Sequence, residues 1–426
     1  MGTVLWNGAV SALVIGLGAG LVLRWGAVCG LAPWRGWQIR PYPAEGETAP
    51  SRQRLGQVFA LALLFRLLVF LAGSLAYCAG KGQLSLEGLL ACWVRWDAQH
   101  YVKLAELGYS GYIEDGQHLF LVFFPLYVWL TRLVKVLVGN TVLAGLLVSW
   151  LCFGGGCLYT YRLVSLDYGE ETAKRTLLLL SVFPYAFFFG GVMTESLFFL
   201  TVAAALWHIR RHEWRRAGLW GLLSALTRMH GLLLMGAALA EYGQHCGLFA
   251  PGRDWKEKLC HFLRTLPAIL LPVLGTAGYL LLNWWVDGDP FSFTVQQAHW
   301  SQGFLWISQV LAYLVQNALS YPSLSVRLEL WIPEVLLFAA FFALMWQARG
   351  RHRGMYTLYA FVTLVLDYSL SWLLSAGRYL SCALPFFWFA ACLLGKRPRL
   401  TAALAGVMAA LFALNLVGYF NWAQIM

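Results

Sequence analysis

The sequence predicts an all-α polytopic membrane protein. Three observations carry that prediction. Hydrophobic residues make up 60% of the 426-residue chain and charged residues only 12%, about half the charged share of an ordinary soluble domain. A soluble fold of this composition would have no polar surface to present. Apolar runs of about 20 residues, long enough to cross a hydrocarbon core, recur along the chain. Lys and Arg gather in the short segments between them. Together these features exclude a cytosolic globular enzyme, a disordered protein and a disulfide scaffold. The length accommodates about ten to twelve spans.

Val4–Leu23 is free of charge and long enough to span. It reads as an extra helix, or as a signal peptide that lacks the usual basic start. Arg24–Arg54 carries both charges plus Pro and Gly and reads as a linker. Better-defined spans follow at Gln57–Ala79, Thr141–Tyr161, Thr176–Met193, Ser196–Ile209, Leu266–Trp285, Glu329–Gln347, Met355–Leu374, Tyr379–Leu394 and Leu400–Phe420. His118–Val138 is interrupted by Pro125, Arg132 and Lys135 and reads as a span or an interfacial segment. Phe304–Leu319 is similarly short.

The formal net charge of +11 would suggest a nucleic-acid partner in a soluble chain. Its distribution argues otherwise. Segments 24–54, 162–175, 210–216, 242–264, 349–354 and 395–399 alternate onto one side and hold 22 of the 31 Lys and Arg residues. The positive-inside rule makes that side cytoplasmic. Ala217–Glu241 has basic segments at both ends, so both ends are expected inside. Its 25 residues are too few for two full spans at about 1.5 Å rise per residue. A pair of short helices turning near Thr227-Arg228-Met229-His230-Gly231 is expected. Irregular backbone inside a membrane must face protein or a wet cavity, which places a cavity near Arg228.

The nine Cys residues form no CxxC pair or zinc pattern and mostly read as small apolar packers. Cys78 and Cys92 flank one outward loop, so pairing between them stays open.

The polar residues that break the apolar pattern are the candidates for chemistry. In Trp93-Val94-Arg95-Trp96-Asp97-Ala98-Gln99-His100-Tyr101, the aromatics suit an interfacial helix. Asp97, His100 and Tyr101 share one helical face at i, i+3 and i+4. Asp97 suits a general base, with helix capping as the alternative. Glu195, Arg228 and Arg378 lie at predicted membrane ends or inside spans, where an ionisable residue is a functional candidate. An Arg fork suits phosphate. For Arg378 snorkelling is the alternative, and for Glu195 capping. Arg66 and Asp367 fall mid-span and read as helix braces. The loop 286–303 carries Asp287, Asp289, Gln296, Gln297, His299 and Trp300, a set suited to holding a sugar by stacking and hydrogen bonds, or to anchoring in headgroups. His118, His230 and His299 read as ordinary hydrogen-bonding residues.

A family resemblance runs through these same residues. Arg95-Trp96-Asp97-Ala98-Gln99-His100-Tyr101 with Gly108-Tyr109 resembles the WDAxxY…GY signature of the PIG-V mannosyltransferases. Phe123-Phe124-Pro125-Leu126-Tyr127 resembles FFPLYP, with Val128 in place of the last Pro. Phe183-Pro184 through Thr194-Glu195-Ser196-Leu197 resembles FP…YTESLF, with Met193 where Tyr is usual. Ala225-Leu226-Thr227-Arg228 resembles ALTR, Gly288-Asp289-Pro290 the GDP loop, and Arg378-Tyr379 with Pro385 the late RY…P. The matches keep family order over residues 57–390.

The resemblance implies a GT-C bundle, taken as a single domain over 55–426; the N-terminal helix and basic linker over 1–54 are read from composition and lie outside it. It implies interfacial helices and an acidic catalytic residue in the first outward loop. The implied activity is inverting mannosyl transfer from a polyprenyl-phosphate mannose to a lipid or glycan acceptor on the extracytoplasmic face. In eukaryotes the family adds a mannose to GPI anchors. The short outward loops lean towards a bacterial cell membrane rather than the endoplasmic reticulum. On this reading Asp97 is the base, Arg378 and then Arg228 hold the donor phosphate, and Glu195, His100, Tyr101, Gln296 and Asp289 orient substrate. No metal or cofactor is demanded, and the partners are the donor, the acceptor and membrane lipid, with no nucleic acid. Two other classes stay open: a lipid or sugar transporter or flippase, favoured by many spans and a broken helix, and a non-catalytic subunit of a glycosylation complex. Polar residues clustered toward one membrane face favour the enzyme.

Overall fold

The computed structural model describes residues 2–31, 39, 42, 50–82, 84–250 and 255–425. The architecture is helical throughout. Among the described residues, extended pairing is limited to two isolated bridges, Glu114 with Gln117 and Phe304 with Leu370. Most of the expected linker over Arg24–Arg54 lies outside the described residues.

Among the described residues six helices are long and apolar enough to cross a membrane: Val4–Val28, Arg52–Gly80, Thr141–Tyr168, Trp255–Asp287, Leu324–Ala348 and Pro398–Phe420. Gly354–Asp367 and Pro385–Leu394 are apolar but shorter. The count of long helices falls below ten to twelve because several expected spans are broken. The stretch Thr176–Met193 is helical only to Val182, then turns through a 3-10 segment at Ala186–Gly190. Phe183 precedes Pro184 and is extended (ψ 139°), because a proline ring crowds a helical conformation at the residue before it. The stretch Met355–Leu374 stops being helical at Asp367. Tyr379–Leu394 divides into Ala376–Ser381 and Pro385–Leu394. His118–Val138 becomes a 3-10 turn, Leu119–Val122, and a 14-residue helix, Pro125–Val138. That helix reaches only about 21 Å at 1.5 Å per residue, short of a hydrocarbon core of about 30 Å.

The segment 217–241 forms the expected short pair. Trp214–Ala225 runs in, Arg228 is extended (φ −157°, ψ 149°), a 3-10 turn covers Met229–Leu232, and Leu233–Cys246 runs out. With 12 and 14 residues, each arm spans about 18–21 Å. Gly231 makes the turn: a Cβ there would lie 2.3 Å from the Ala225 nitrogen. The first arm packs tightly on Trp255–Ile269 and Leu271–Asp287. A Cβ on Gly275 would lie 2.3 Å from the Leu222 carbonyl oxygen, and one on Gly218 would lie 2.0 Å from that of Ala268. Small residues bring helix backbones together where hydrophobic driving force between helices is weak.

Glu195–Arg210 forms the buried axis, packed by Thr141–Tyr168, Trp214–Ala225 and Leu233–Cys246. At one end of the bundle the basic segments meet their acids. Arg210 pairs with Asp167 at 2.8 Å, and Arg353 with Glu241 at 2.7 Å. Tyr356 donates to Asp167 at 2.7 Å. Segments 162–175, 210–216 and 349–354 thus share an end. Cys78 and Cys92 are unpaired, and the Cys92 thiol faces the Ser74 hydroxyl at 3.5 Å.

Gly231→Ala forces a methyl into the re-entrant backbone. A loss of about 1–3 kcal/mol is expected, the range for overpacking a filled interior. It should appear as a lower midpoint in thermal unfolding of the detergent-solubilised protein, while Gly236→Ala, in open space, should leave the midpoint unchanged.

Candidate active site

Four of the helix starts and breaks deliver a charged group to one place. At the first, Trp96 sits at φ 51°, a conformation that is strained for a bulky residue. The strain is held by its surroundings. The Tyr419 hydroxyl donates to the Trp93 carbonyl at 3.0 Å, Arg95 Nε donates to the Phe420 carbonyl at 3.1 Å, and the Trp96 ring meets Trp422 edge-on. The bend makes Asp97 the first residue of Asp97–Leu107 and not its cap.

Arg378, from Ala376–Ser381, donates through Nη1 to Asp97 Oδ2 at 2.5 Å and through Nε to Glu195 Oε1. Arg228 donates through Nη2 to the same Glu195 oxygen and through Nε to Thr194 Oγ1 at 3.0 Å. Two guanidiniums and two carboxylates form one chain in the order Asp97, Arg378, Glu195, Arg228. The formal charges cancel, which lets the cluster lie in an apolar bundle. Glu195 is fully buried, Arg378 is 6% exposed, and the Asp97 side chain is 33% exposed. Among the described residues four atoms of the chain make no protein hydrogen bond: Asp97 Oδ1, Arg378 Nη2, Arg228 Nη1 and the buried Glu195 Oε2.

Asp97, Arg228, Arg378 and Tyr101 line a cavity of about 330 Å³. Glu195 lies behind that wall and joins the two arginines. Arg228 also lies over the rings of Phe198 and Tyr379, at 5.7 and 5.9 Å. The roof comes from the loop after Asp287. Leu305 N–H donates to the Ser369 carbonyl and Ser371 N–H to the Gly303 carbonyl, both at 2.9 Å. The His118–Asp287 contact, Nδ1 to Oδ1 at 3.2 Å, ties that loop to the loop after Asp97–Leu107.

Besides Glu195, the structure leaves three expected site residues outside the cavity lining. His100 faces Tyr112, its Nδ1 3.0 Å from the hydroxyl, and stacks on Phe120 at 4.2 Å. Burial lowers its pKa below the ordinary histidine value, against the raising influence of Asp97 and Glu114. Asp289 is exposed and caps a turn by accepting the Phe291 N–H at 2.8 Å. Gln296 is buried beside the cavity, and its neighbour Gln297 lines it instead. In the other direction, His230 and Asp367 join the cavity, with His230 Nε2 3.1 Å from Asp367 Oδ1. Both were visible in the sequence as polar residues in apolar surroundings, but nothing there showed that a helix break and a re-entrant turn would meet. Among the described residues no three His, Cys, Asp or Glu side chains cluster for a metal.

Comparison with known proteins bears on this site. Residues 76–281 match the family described as Mannosyltransferase (PIG-V). Over that region, just under half of the chain, it is similar to the PIG-V family. It is similar to GPI alpha-1,6-mannosyltransferase 2 of Mus musculus, 26% identical over 236 residues, which is 50% of this chain and 45% of that protein. The chain thus spans about half the length of that curated relative. Its fold is similar to the crystal structure of ArnT from Cupriavidus metallidurans bound to undecaprenyl phosphate. The TM-score is 0.52 at 17% identity, covering 85% of this chain and 64% of the other. The family match includes Asp97, Glu195 and Arg228, whereas Arg378 lies beyond its end.

Removing one carboxylate from the chain should cost more than removing an exposed charge. Glu195→Gln leaves the two arginines facing one remaining acid, and a loss of about 3–5 kcal/mol is expected for breaking a buried pair. Glu87→Gln, at an exposed position, should change stability by less than about 0.5 kcal/mol. Unfolding of the two variants in the same detergent checks the contrast.

Proposed function

We propose that the protein is a membrane glycosyltransferase that moves mannose from a polyprenyl-phosphate mannose to a lipid or glycan hydroxyl. The observation that carries this reading is the pairing of Asp97 with Arg378 at the cavity wall. An oxygen able to take a proton thereby sits beside donors able to hold a phosphate. The family supplies the sugar, and the undecaprenyl phosphate of the structural neighbour supplies the precedent for a lipid phosphate.

The reaction is a single displacement. The acceptor oxygen forms a bond to the anomeric carbon through its lone pair while passing its proton to Asp97 Oδ1. The bond from that carbon to the phosphate oxygen breaks, and its electron pair stays on the phosphate. Attack from the opposite face inverts the anomeric centre. The departing phosphate is stable as an anion and needs no proton, only positive charge nearby. Arg378 Nη2 and Arg228 Nη1 provide it without reorganisation, because their other nitrogens are already fixed on Glu195, Asp97 and Thr194. Tyr101, buried on the cavity wall, shapes the side of the site next to Asp97. His100 and Gln296 support the site from behind, and Asp289 shapes the loop that roofs it.

The cavity opens on the extracytoplasmic face in this reading, since the basic segments gather at the other end. Cys260 is exposed on the basic helix Trp255–Ile269, and His299 is exposed on the roof loop. A membrane-impermeant maleimide applied from outside should label His299→Cys and spare Cys260. The reverse pattern would invert the orientation.

Asp97→Asn keeps the size of the side chain and removes the base. Transfer from radiolabelled polyprenyl-phosphate mannose should fall about 10²–10⁴-fold, the usual value of a positioned base, with donor KM little changed. Unchanged transfer would remove Asp97 from that role. Sugar-independent lipid scrambling by the wild-type protein, without transfer, would favour a flippase.

A further inference from the structure

The cavity has a second polar end that the displacement above does not use. Asp367 terminates Gly354–Asp367 and is 1% exposed. Its Oδ1 lies 3.1 Å from His230 Nε2, and its Oδ2 is buried with no hydrogen-bond partner. An unpaired buried acceptor is costly unless a ligand supplies its partner. His230 keeps 29% of its side chain exposed to the cavity. Trp300 and Trp372 line the same space, and Gln302 fixes the second by donating to its carbonyl at 2.9 Å.

We propose that His230 and Asp367, with Trp372 on the wall of the same cavity, form a hexose-binding station that accepts hydrogen bonds from and donates them to ring hydroxyls. This rests on the transferase reading. A carboxylate with a free oxygen accepts from hydroxyls, an imidazole beside it serves neighbouring hydroxyls, and an indole face covers the C–H side of a pyranose. The same carboxylate repels a phosphate, so the cavity is polarised. The arginine end holds the leaving group, and the Asp367 end holds sugar. The ring gripped belongs either to the donor or to a glycan acceptor, and the two share this hydroxyl chemistry. His230 and Asp367 are thus positioning residues, distinct from the reacting groups at Asp97 and Arg378.

Initial rates with purified protein in lipid nanodiscs, varying donor and acceptor separately, test the proposal. Asp367→Asn and His230→Ala should raise the KM of one substrate at least tenfold while kcat stays within about threefold. A rise for polyprenyl-phosphate mannose assigns the donor ring, and a rise for the glycan acceptor assigns the acceptor ring. Trp372→Phe, which retains an aromatic face, should shift the same KM less than Trp372→Ala and guards against a misfolded Asp367 variant. Both KM values within twofold of wild type, or a fall in kcat alone, would overturn the station while leaving the transferase reading intact. If wild-type protein transfers no mannose, the transferase reading fails. Quenching of tryptophan fluorescence by methyl α-mannoside then decides the station. Saturable quenching that weakens at least tenfold in Asp367→Asn supports it, and quenching that is absent or unchanged refutes it.

Discussion

Arg378 bonds two carboxylates that the sequence sets far apart, Asp97 at a separation of 281 residues and Glu195 at 183. Most of the site follows from that shared guanidinium. It neutralises Asp97 and Glu195 at once, which is the condition for bringing both into an apolar bundle. It fixes the Asp97 carboxylate by one oxygen and leaves the other toward the cavity. Glu195 in turn holds Arg228, so the position of one arginine sets the other. The helix Asp97–Leu107, the buried axis helix, the turn at Arg228 and the segment after Ser375 are therefore joined through a handful of charged atoms.

The backbone is built to reach this cluster. Each charged member sits where a helix begins, ends or turns: Asp97 after the strained Trp96, Glu195 at the first residue of its helix, Arg228 in an extended break and Arg378 in a six-residue helix. Such breaks expose carbonyls and N–H groups that only a polar cavity or other protein can satisfy inside a membrane. The short helices are thus the structural cost of the cavity. They also explain why the bundle has fewer long helices than its apolar content suggests.

Local chemistry was legible in the sequence, and long-range geometry was not. The membrane class, the interfacial helix at Asp97 and the turn at Arg228 followed from composition, aromatic placement and the two basic flanks of a 25-residue segment. The motif resemblance singled out Asp97, Glu195, Arg228 and Arg378, which the fold gathers. The breaks at Asp367 and Cys382 were hidden, because apolar periodicity continues through them and only tertiary packing stops the helix. His230 and Asp367 looked like a plain hydrogen-bonding residue and a brace for the same reason: neither carries a local signal of the other. Asp289 and His100 belonged to motifs, yet their side chains serve a turn and an aromatic stack.

In this account, acid and base chemistry and phosphate binding are coupled through one side chain. A double-mutant cycle on kcat/KM for mannosyl transfer tests that coupling most directly, using Asp97→Asn, Glu195→Gln and the pair. Because both changes act on Arg378, the account predicts strong non-additivity, with a coupling of at least about 1 kcal/mol. Effects that add within about 0.5 kcal/mol, as for independent sites, would contradict it.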